Sequence, residues 1–124
     1  MLNFTFKNPT EILFGKGMIA KMSSRIPEDA TVLLTYGGGS IKRSGVYDQI
    51  MAALKGHRVV EFGGIEPNPV YETCMKAVDK VRQEDARFIL AAGGGSVMDA
   101  SKFIAAAARY GGPEPWEILR SAGE

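Results

Sequence analysis

The same four residues, Gly-Gly-Gly-Ser, occur twice in this chain of 124 residues, at positions 37–40 and 93–96. Each copy follows a short apolar run and precedes a segment with helical periodicity. Glycine has no Cβ atom, so a turn of three glycines lets a ligand approach the backbone closely. The N–H groups of such a turn and of the next helix's first residues are unpaired and form a site for phosphate. Two such turns indicate a ligand with more than one phosphate group, such as a dinucleotide.

Three apolar runs predict the strands of a parallel β-sheet, at residues 31–36, 58–62 and 86–92. They are short, rich in Val, Ile, Leu and Phe, and nearly continuous, which is typical of strands buried on both faces. Their first residues lie 27 and 28 positions apart, which leaves room for one helix in each crossover. The sequence therefore predicts an α/β fold, a Rossmann-like parallel sheet with flanking helices.

Helical periodicity predicts helices at residues 17–25, 46–54, 70–81 and 97–109. Near the N-terminus, the turn signal Asn8-Pro9-Thr10 separates two short strand candidates, residues 3–6 and 11–14. These two segments predict an N-terminal β-hairpin or edge pair. A last short helix is predicted at residues 115–120, because proline at position 115 suits a first helical turn.

Composition excludes several classes of function. The net charge of +1 comes without a basic stripe, so nothing favours nucleic-acid binding or a charged membrane surface. No apolar stretch is long enough to span a bilayer, and residues 1–7 lack the apolar segment of a signal peptide. Cys74 is the single cysteine, which rules out an internal disulfide and fits a reducing compartment. We therefore expect a cytoplasmic protein with neither nucleic-acid nor membrane partners.

The second glycine turn predicts the pyrophosphate site. Gly94 and Gly95 lead into Ser96 and Val97, the start of an alanine-rich helix whose dipole favours negative charge. Ser96 can donate its hydroxyl to phosphate or cap the helix. Asp99 is an anion, so it either stabilises the helix dipole from the first turn or accepts a hydrogen bond from a ribose hydroxyl. For both glycine turns, the alternative is a tight strand-to-helix connection that needs glycine only for its conformation.

The first glycine turn bears on cofactor choice. Enzymes that select NAD often carry an acidic residue at the end of such a strand, bonded to the ribose 2′-hydroxyl. Here the corresponding residues are Gly37, Gly38, Gly39 and Ser40, followed by Lys42 and Arg43. Without the acid, the N–H groups and the two cations would receive a 2′-phosphate, which favours NADP(H) over NAD(H). The alternative for Lys42 and Arg43 is a solvated surface.

Asn68 lies between two prolines in a loop, Glu66-Pro67-Asn68-Pro69, that follows the second predicted strand. The prolines hold the loop with little entropy left to lose, and the amide can both donate to and accept from a ribose or phosphate. A plain turn residue is the alternative. The loop and both glycine turns follow parallel strands, so we expect them at one edge of the sheet, where ligands of open α/β sheets bind. His57 is the single histidine and lies in a predicted exposed loop, so we expect neither a catalytic residue nor a histidine metal site here.

Five segments of the chain resemble the iron-containing, group III alcohol dehydrogenases. They are ILFGKG at 12–17, TYGGGSIKRSGVYDQ at 35–49, FGGIEPNP at 62–69, AAGGGSVMDASKFIAA at 91–106 and PWEIL at 115–119. The NADP-dependent butanol dehydrogenase and aldehyde reductase branch is the most similar. The resemblance implies that residues 1–124 are the N-terminal dinucleotide-binding domain of an enzyme that interconverts aldehydes and primary alcohols. It also implies cofactor contacts from Asn68, Gly95, Ser96, Asp99 and the position near Gly38.

The resemblance also implies what this chain lacks. In the family, iron or zinc is bound by one Asp and three His residues of a C-terminal helical domain, and none of those positions exists in this chain. We therefore expect the 124 residues alone to be inactive. The resemblance also implies a homodimer that forms through residues 3–6. Two alternatives stay open: a stand-alone nucleotide-binding module, and a domain of the related NAD-dependent glycerol dehydrogenases. The missing acid after the first strand argues against the second.

Overall fold

The computed structural model describes residues 3, 5 and 7–110. A 3-10 helix, Met18–Arg25, comes first. It is followed by three strands and four α-helices: β1 (Val32–Tyr36), α1 (Ser40–Arg43), α2 (Val46–Ala53), β2 (Val59–Phe62), α3 (Tyr71–Glu84), β3 (Phe88–Ala92) and α4 (Gly95–Arg109). No helix in this part of the chain has the length and apolar character needed to cross a membrane.

The three strands form one parallel sheet in the order β2-β1-β3. In the register of the sheet, Val32 of β1 lies beside Val59 of β2 and Phe88 of β3. The central strand is fully buried from Val32 to Thr35, as expected of a strand covered on both faces. The predicted α/β fold and its three strands are thus confirmed, although each strand starts one or two residues later than predicted.

Helices cover both faces of the sheet. On one face, Val32 and Leu34 pack with buried side chains of α2, among them Ile50, and with the segment around the 3-10 helix. On the other face, Leu33 packs against the buried sides of α3 and α4. The predicted apolar face of α3 is confirmed at Cys74, Ala77, Val78 and Val81. Val70, predicted to share that face, lies just before the helix and is half exposed.

The predicted N-terminal hairpin is wrong in its second strand, because residues 11–14 are not in a strand. Ile12 and Phe14 are 80% and 93% exposed, so their side chains pack against no apolar surface of the described residues. A two-stranded pair without such packing is marginal in water. Glu11 instead pairs with Arg25 of the 3-10 helix, with 2.7 Å between Oε1 and Nη2.

Two other predictions concern segments outside this description. Of the predicted strand at residues 3–6, only Asn3 and Thr5 are described, and neither is in a strand. The predicted helix at residues 115–120 lies wholly outside the described residues. The helix predicted at residues 17–25 is present, as a 3-10 helix rather than an α-helix.

Candidate functional site

Three loops meet at the edge of the sheet where the strands end. The first glycine turn follows β1, the loop that contains Asn68 follows β2, and the second glycine turn follows β3. Two backbone bonds join the first two loops, from Gly64 N–H to the Gly37 carbonyl at 2.7 Å and from Ile65 N–H to the Tyr36 carbonyl at 3.2 Å. The structure therefore brings together the segments that the sequence predicted to share one edge.

The strand order places both glycine turns at the natural ligand crevice of the sheet. From β1 the chain crosses to β2 through α2, and from β2 it crosses over β1 to β3 through α3 on the opposite face. Where the winding reverses in this way, the connections diverge and a crevice opens at the carboxyl ends of the strands. The two glycine turns follow β1 and β3, the neighbouring strands on either side of that point.

At three glycines of the turns, an added Cβ atom would come close to another atom of the protein. A Cβ atom on Gly93 would lie 2.8 Å from Val97 Cγ2, and on Gly37 it would lie 3.3 Å from the carbonyl oxygen of Ile65. On Gly39 it would lie 2.9 Å from Arg43 Nη1, the end of a flexible side chain that can move away. Packing within the protein is therefore a sufficient reason for glycine at Gly37 and Gly93, and no ligand is needed to explain them.

No contact within the described residues requires glycine at the three other positions, Gly38, Gly94 and Gly95. A Cβ atom on any of them would meet no atom of the described residues within 4 Å. None of the three has the positive φ angle that disfavours other residues. A side chain would therefore fit the fold, but it would occupy the space above the turns. Neither packing within the described residues nor backbone conformation therefore requires glycine at these three positions, and each leaves room for a ligand to approach the backbone.

The second turn opens directly onto the N-terminus of α4, a helix of 15 residues. The first N–H group with an acceptor in the helix is that of Met98, which donates to the Gly94 carbonyl at 3.1 Å. Within the described part of the chain, no side chain caps this helix. The N–H groups of Gly95, Ser96 and Val97 are therefore the unpaired donors of a helix start, with the positive end of the dipole behind them.

The structure does not show the structural roles predicted for two side chains here, the helix cap of Ser96 and the first-turn position of Asp99. Ser96 does not cap the helix; its Oγ donates to the Pro67 carbonyl and ties the second glycine turn to the loop that contains Asn68. Asp99 is the fifth residue of α4, beyond the first turn, and it is exposed. Its predicted structural role on the helix dipole is weak at that place, because the effect falls off after the first turn.

Asn68 is exposed at the tip of its loop, and no hydrogen bond within the described residues engages its amide. The loop itself is held from below by Glu66, whose carboxylate accepts the N–H of Val70 at 3.4 Å. Hydrogen bonds from Thr73 and from that N–H group lower the pKa of Glu66, so the anchor is ionised at neutral pH. The amide of Asn68 is thus held in place and available to a ligand.

The two cations after the first turn point in different directions. Arg43 folds back so that its guanidinium lies against Gly39. Lys42 lies instead over two aromatic rings, with its Nζ 5.4 Å from the centroid of Tyr36 and 5.0 Å from that of Tyr47. Only one of the two predicted phosphate-binding cations, Arg43, therefore lies against the turn. The orientation of Lys42 could not be predicted from the sequence, because Tyr47 lies on another helix, α2.

A groove of about 420 Å³ lies between α3 and α4, beside the end of the loop that contains Asn68. It is lined by Pro69, Val70, Tyr71, Cys74, Asp99, Ala100 and Phe103. The sequence analysis did not predict it; the apolar Val70 next to the Asn68 loop was the available signal. Cys74 is buried at its base, and this burial raises the pKa of its thiol, so it is an unreactive packing residue. Among residues 3, 5 and 7–110, no group of three or more His, Cys, Asp or Glu residues could hold a metal ion.

Comparison with known proteins agrees with this geometry. The family model for iron-containing alcohol dehydrogenase matches residues 9–124. The chain is 60% identical over 127 residues to the NADPH-dependent aldehyde reductase YqhD of Escherichia coli, an alignment that covers 100% of this chain and 32% of the relative. It is 47% identical over 122 residues to the probable NADH-dependent butanol dehydrogenase 1 of Bacillus subtilis, covering 96% of this chain and 31% of that protein.

The fold is also that of a solved relative. The substrate- and cofactor-free structure of the aldehyde reductase YqhD from E. coli superimposes with a TM-score of 0.95 at 59% identity. The superposition covers 99% of this chain and 33% of that one. The chain thus spans about a third of the length of the relatives it matches.

Proposed function

Since the chain belongs to the iron-containing alcohol dehydrogenase family, we propose that residues 1–124 form the cofactor-binding domain of an NADP(H)- and metal-dependent enzyme. That enzyme interconverts aldehydes and primary alcohols. The observation that carries the proposal is the set of three glycines, Gly38, Gly94 and Gly95, that neither packing nor backbone conformation requires. They keep two neighbouring strand ends clear for one ligand.

The second turn is the proposed pyrophosphate site. The unpaired N–H groups of Gly95, Ser96 and Val97 supply donors, and the dipole of α4 supplies a favourable field for negative charge. Asn68 stands beside this turn because the Ser96 hydroxyl holds its loop there. We assign Asn68 and Asp99 to the ribose hydroxyls or the phosphate edge, the roles that their exposed polar groups suit.

The first turn is the proposed site of the 2′-phosphate. Gly38 leaves open space at the end of β1, where NAD-selective enzymes often place an acid. The guanidinium of Arg43 lies against Gly39 and can form charge-assisted hydrogen bonds with a phosphate that enters this space. Gly37 and Gly39 shape the turn, and Ser40 adds an exposed hydroxyl. NADP(H) is therefore the proposed cofactor, although a 47% identical relative is named as NADH-dependent.

When bound, NADPH supplies the hydride; the residues of this chain bind and orient the cofactor. The resemblance places the iron or zinc ion in a C-terminal helical domain, and the described residues offer no ligand set for it. We therefore derive no step through the metal. A homodimer through residues 3–6 and a cytoplasmic location belong to the same proposal.

Cofactor choice tests the proposal. We expect the chain to bind NADPH more tightly than NADH in fluorescence titrations, and Gly38→Asp to reverse that order. The new carboxylate would repel the 2′-phosphate and accept a hydrogen bond from a 2′-hydroxyl, a change of about tenfold or more in the ratio of dissociation constants. Because a Cβ on Gly38 meets no described atom, the variant should keep its fold.

Ala52→Asp is the matched control, since it adds the same charge at an exposed position of α2. It should leave the ratio unchanged. Equal affinity of the unmodified chain for both cofactors would contradict the NADP(H) assignment, and no binding of either would contradict the whole proposal. A stand-alone nucleotide-binding module would bind the two cofactors in the same way, so these titrations do not distinguish it from an enzyme domain. A gene that continues into a histidine-containing helical segment would identify the enzyme domain.

A further inference from the structure

Four side chains beside the first glycine turn form a connected cluster that the proposed cofactor contacts do not use. Glu61 of β2 accepts one hydrogen bond on each carboxylate oxygen, from the Tyr36 hydroxyl at 3.0 Å and from the Tyr47 hydroxyl at 2.8 Å. The two rings meet edge to face, with centroids 6.5 Å apart. Lys42 Nζ lies within cation–π distance of both rings. We call Tyr36, Lys42, Tyr47 and Glu61 the Glu61 cluster.

Both charged groups of the cluster, Glu61 and Lys42, have partners within it. Glu61 and Lys42 carry opposite charges, and both contact the two tyrosines. Hydroxyls that donate to a carboxylate are polarised by it, and this polarisation strengthens the attraction of the rings for the ammonium group. The hydrogen bond to Glu61 also raises the pKa of Tyr47, so its hydroxyl remains a donor at neutral pH. Lys42 is therefore held by contacts within the protein, unlike a cation that has only solvent as its partner.

The cluster joins every element around the first turn. Its members come from β1, α1, α2 and β2. The ring of Tyr36 also fills the space above Gly63, where any Cβ atom would collide with it, so the ring cannot move toward β2. The helix α1 has only four residues, and Lys42 and Arg43 are its last two. Fixing Lys42 against the rings therefore fixes the start of the Arg43 side chain on the same short helix.

We propose that the residues of the Glu61 cluster are positioning residues for cofactor selectivity. Glu61 orients the two tyrosine rings, the rings hold Lys42, and α1 is thereby fixed so that Arg43 meets the additional phosphate of NADP(H). Lys42 itself does not contact that phosphate. This inference rests on the proposed function, because it takes the first glycine turn as the site of that phosphate.

The test is a double-mutant cycle in the 124-residue chain, with NADPH and NADH dissociation constants measured by fluorescence titration. Lys42→Met removes the cation–π contacts, whereas Tyr47→Phe keeps the ring and removes its hydrogen bond to Glu61. Each should raise the NADPH dissociation constant by up to about fivefold and leave the NADH constant unchanged. The double variant should bind NADPH with the same dissociation constant as the weaker-binding single variant, because both substitutions disrupt the same set of contacts. Lys42→Arg should restore binding, since arginine also packs on aromatic faces.

Lys55→Met is the control, since it removes an equal charge from an exposed residue between α2 and β2, at the edge where the strands begin. If Lys42 is a direct ligand, Lys42→Met will weaken NADPH binding while Tyr47→Phe has no effect, or the two losses will add; either result overturns the inference. If circular dichroism shows that Tyr47→Phe unfolds the chain, Tyr36→Phe replaces it, because Tyr36 also donates a hydrogen bond to Glu61. Failure of the unmodified chain to prefer NADPH refutes the proposed function itself and is distinguishable from these results.

Discussion

At the scale of single residues, two adjacent glycines of the second turn have different reasons to be glycine. Gly93 lies against Val97, a β-branched residue at the start of α4 whose side chain has little freedom to move. Gly94 has ordinary φ and ψ angles of −87° and −162° and open space where a Cβ would point. The fold depends on the first glycine, and the proposed ligand depends on the second.

This difference predicts opposite outcomes for the same substitution. Gly93→Ala should lower the free energy of unfolding by about 1–3 kcal/mol, the usual range for overpacking. Gly94→Ala should change it by less than about 0.5 kcal/mol, as for an unconstrained surface position, yet weaken NADPH binding. Urea denaturation and cofactor titration measure the two quantities separately. If Gly94→Ala destabilised the chain as much as Gly93→Ala, the assignment of the open glycines to a ligand would be wrong.

Single residues also mark what sequence patterns could and could not predict at the site. The glycine positions, Asn68 and the unpaired helix start followed from local sequence, because strand ends and helix starts have local signals. The separate orientations of Lys42 and Arg43 did not, since they depend on Tyr47 and Glu61, which lie on other elements. The hydroxyl of Ser96 likewise finds its partner in a loop 29 positions away in sequence.

At the scale of elements, a buried pair of hydroxyls fastens α4 to the central strand. Ser101 donates to the Val97 carbonyl at 2.7 Å, and its Oγ also forms a 2.7 Å hydrogen bond with Thr35 Oγ1. Both side chains are buried, at 6% and 0% exposure. Because Val97 lies in the first turn of α4, this chain of hydrogen bonds links β1 to the helix start that faces the second glycine turn.

Removing these hydroxyls should show coupling between the two elements. Thr35→Val and Ser101→Ala should each lower the unfolding free energy by about 1 kcal/mol, because each removes the buried hydrogen bond between the two hydroxyls. The double variant should cost clearly less than the sum, with a coupling of about 0.5 kcal/mol or more in urea denaturation. Ser23→Ala, at a partly exposed position of the 3-10 helix, is the control. Strict additivity would mean that the pair does not act as one contact.

Elements were predictable where their apolar pattern is local, and not elsewhere. The three strands and the helices α2, α3 and α4 follow from apolar runs and helical periodicity within each segment. The separate short helix α1 was not predicted; it ends before Gly45, whose positive φ of 84° breaks the helix before α2 begins. The strand predicted at residues 11–14 failed because a strand depends on a partner and a covering surface, which its own sequence does not specify.

At the scale of the whole molecule, the described residues bring together the three loops of the proposed cofactor site, and no group of three or more His, Cys, Asp or Glu side chains among them could hold a metal ion. We therefore expect the 124-residue chain to bind NADPH but not to oxidise it when an aldehyde and iron or zinc are added. Hydride transfer needs a carbonyl that is polarised and closed off from water, in addition to an oriented cofactor. Loss of NADPH absorbance measures turnover, with the E. coli aldehyde reductase as the positive control. Aldehyde-dependent NADPH oxidation by the chain would refute the assignment.

The split among the glycines has a consequence for how such sequences diverge. At positions 37 and 93 a Cβ atom would crowd other atoms of the protein, so folding alone preserves glycine there. Positions 38, 94 and 95 are held by nothing the fold requires. A descendant that had lost its ligand would keep glycine at the first two positions and accumulate substitutions at the other three while its fold stayed the same.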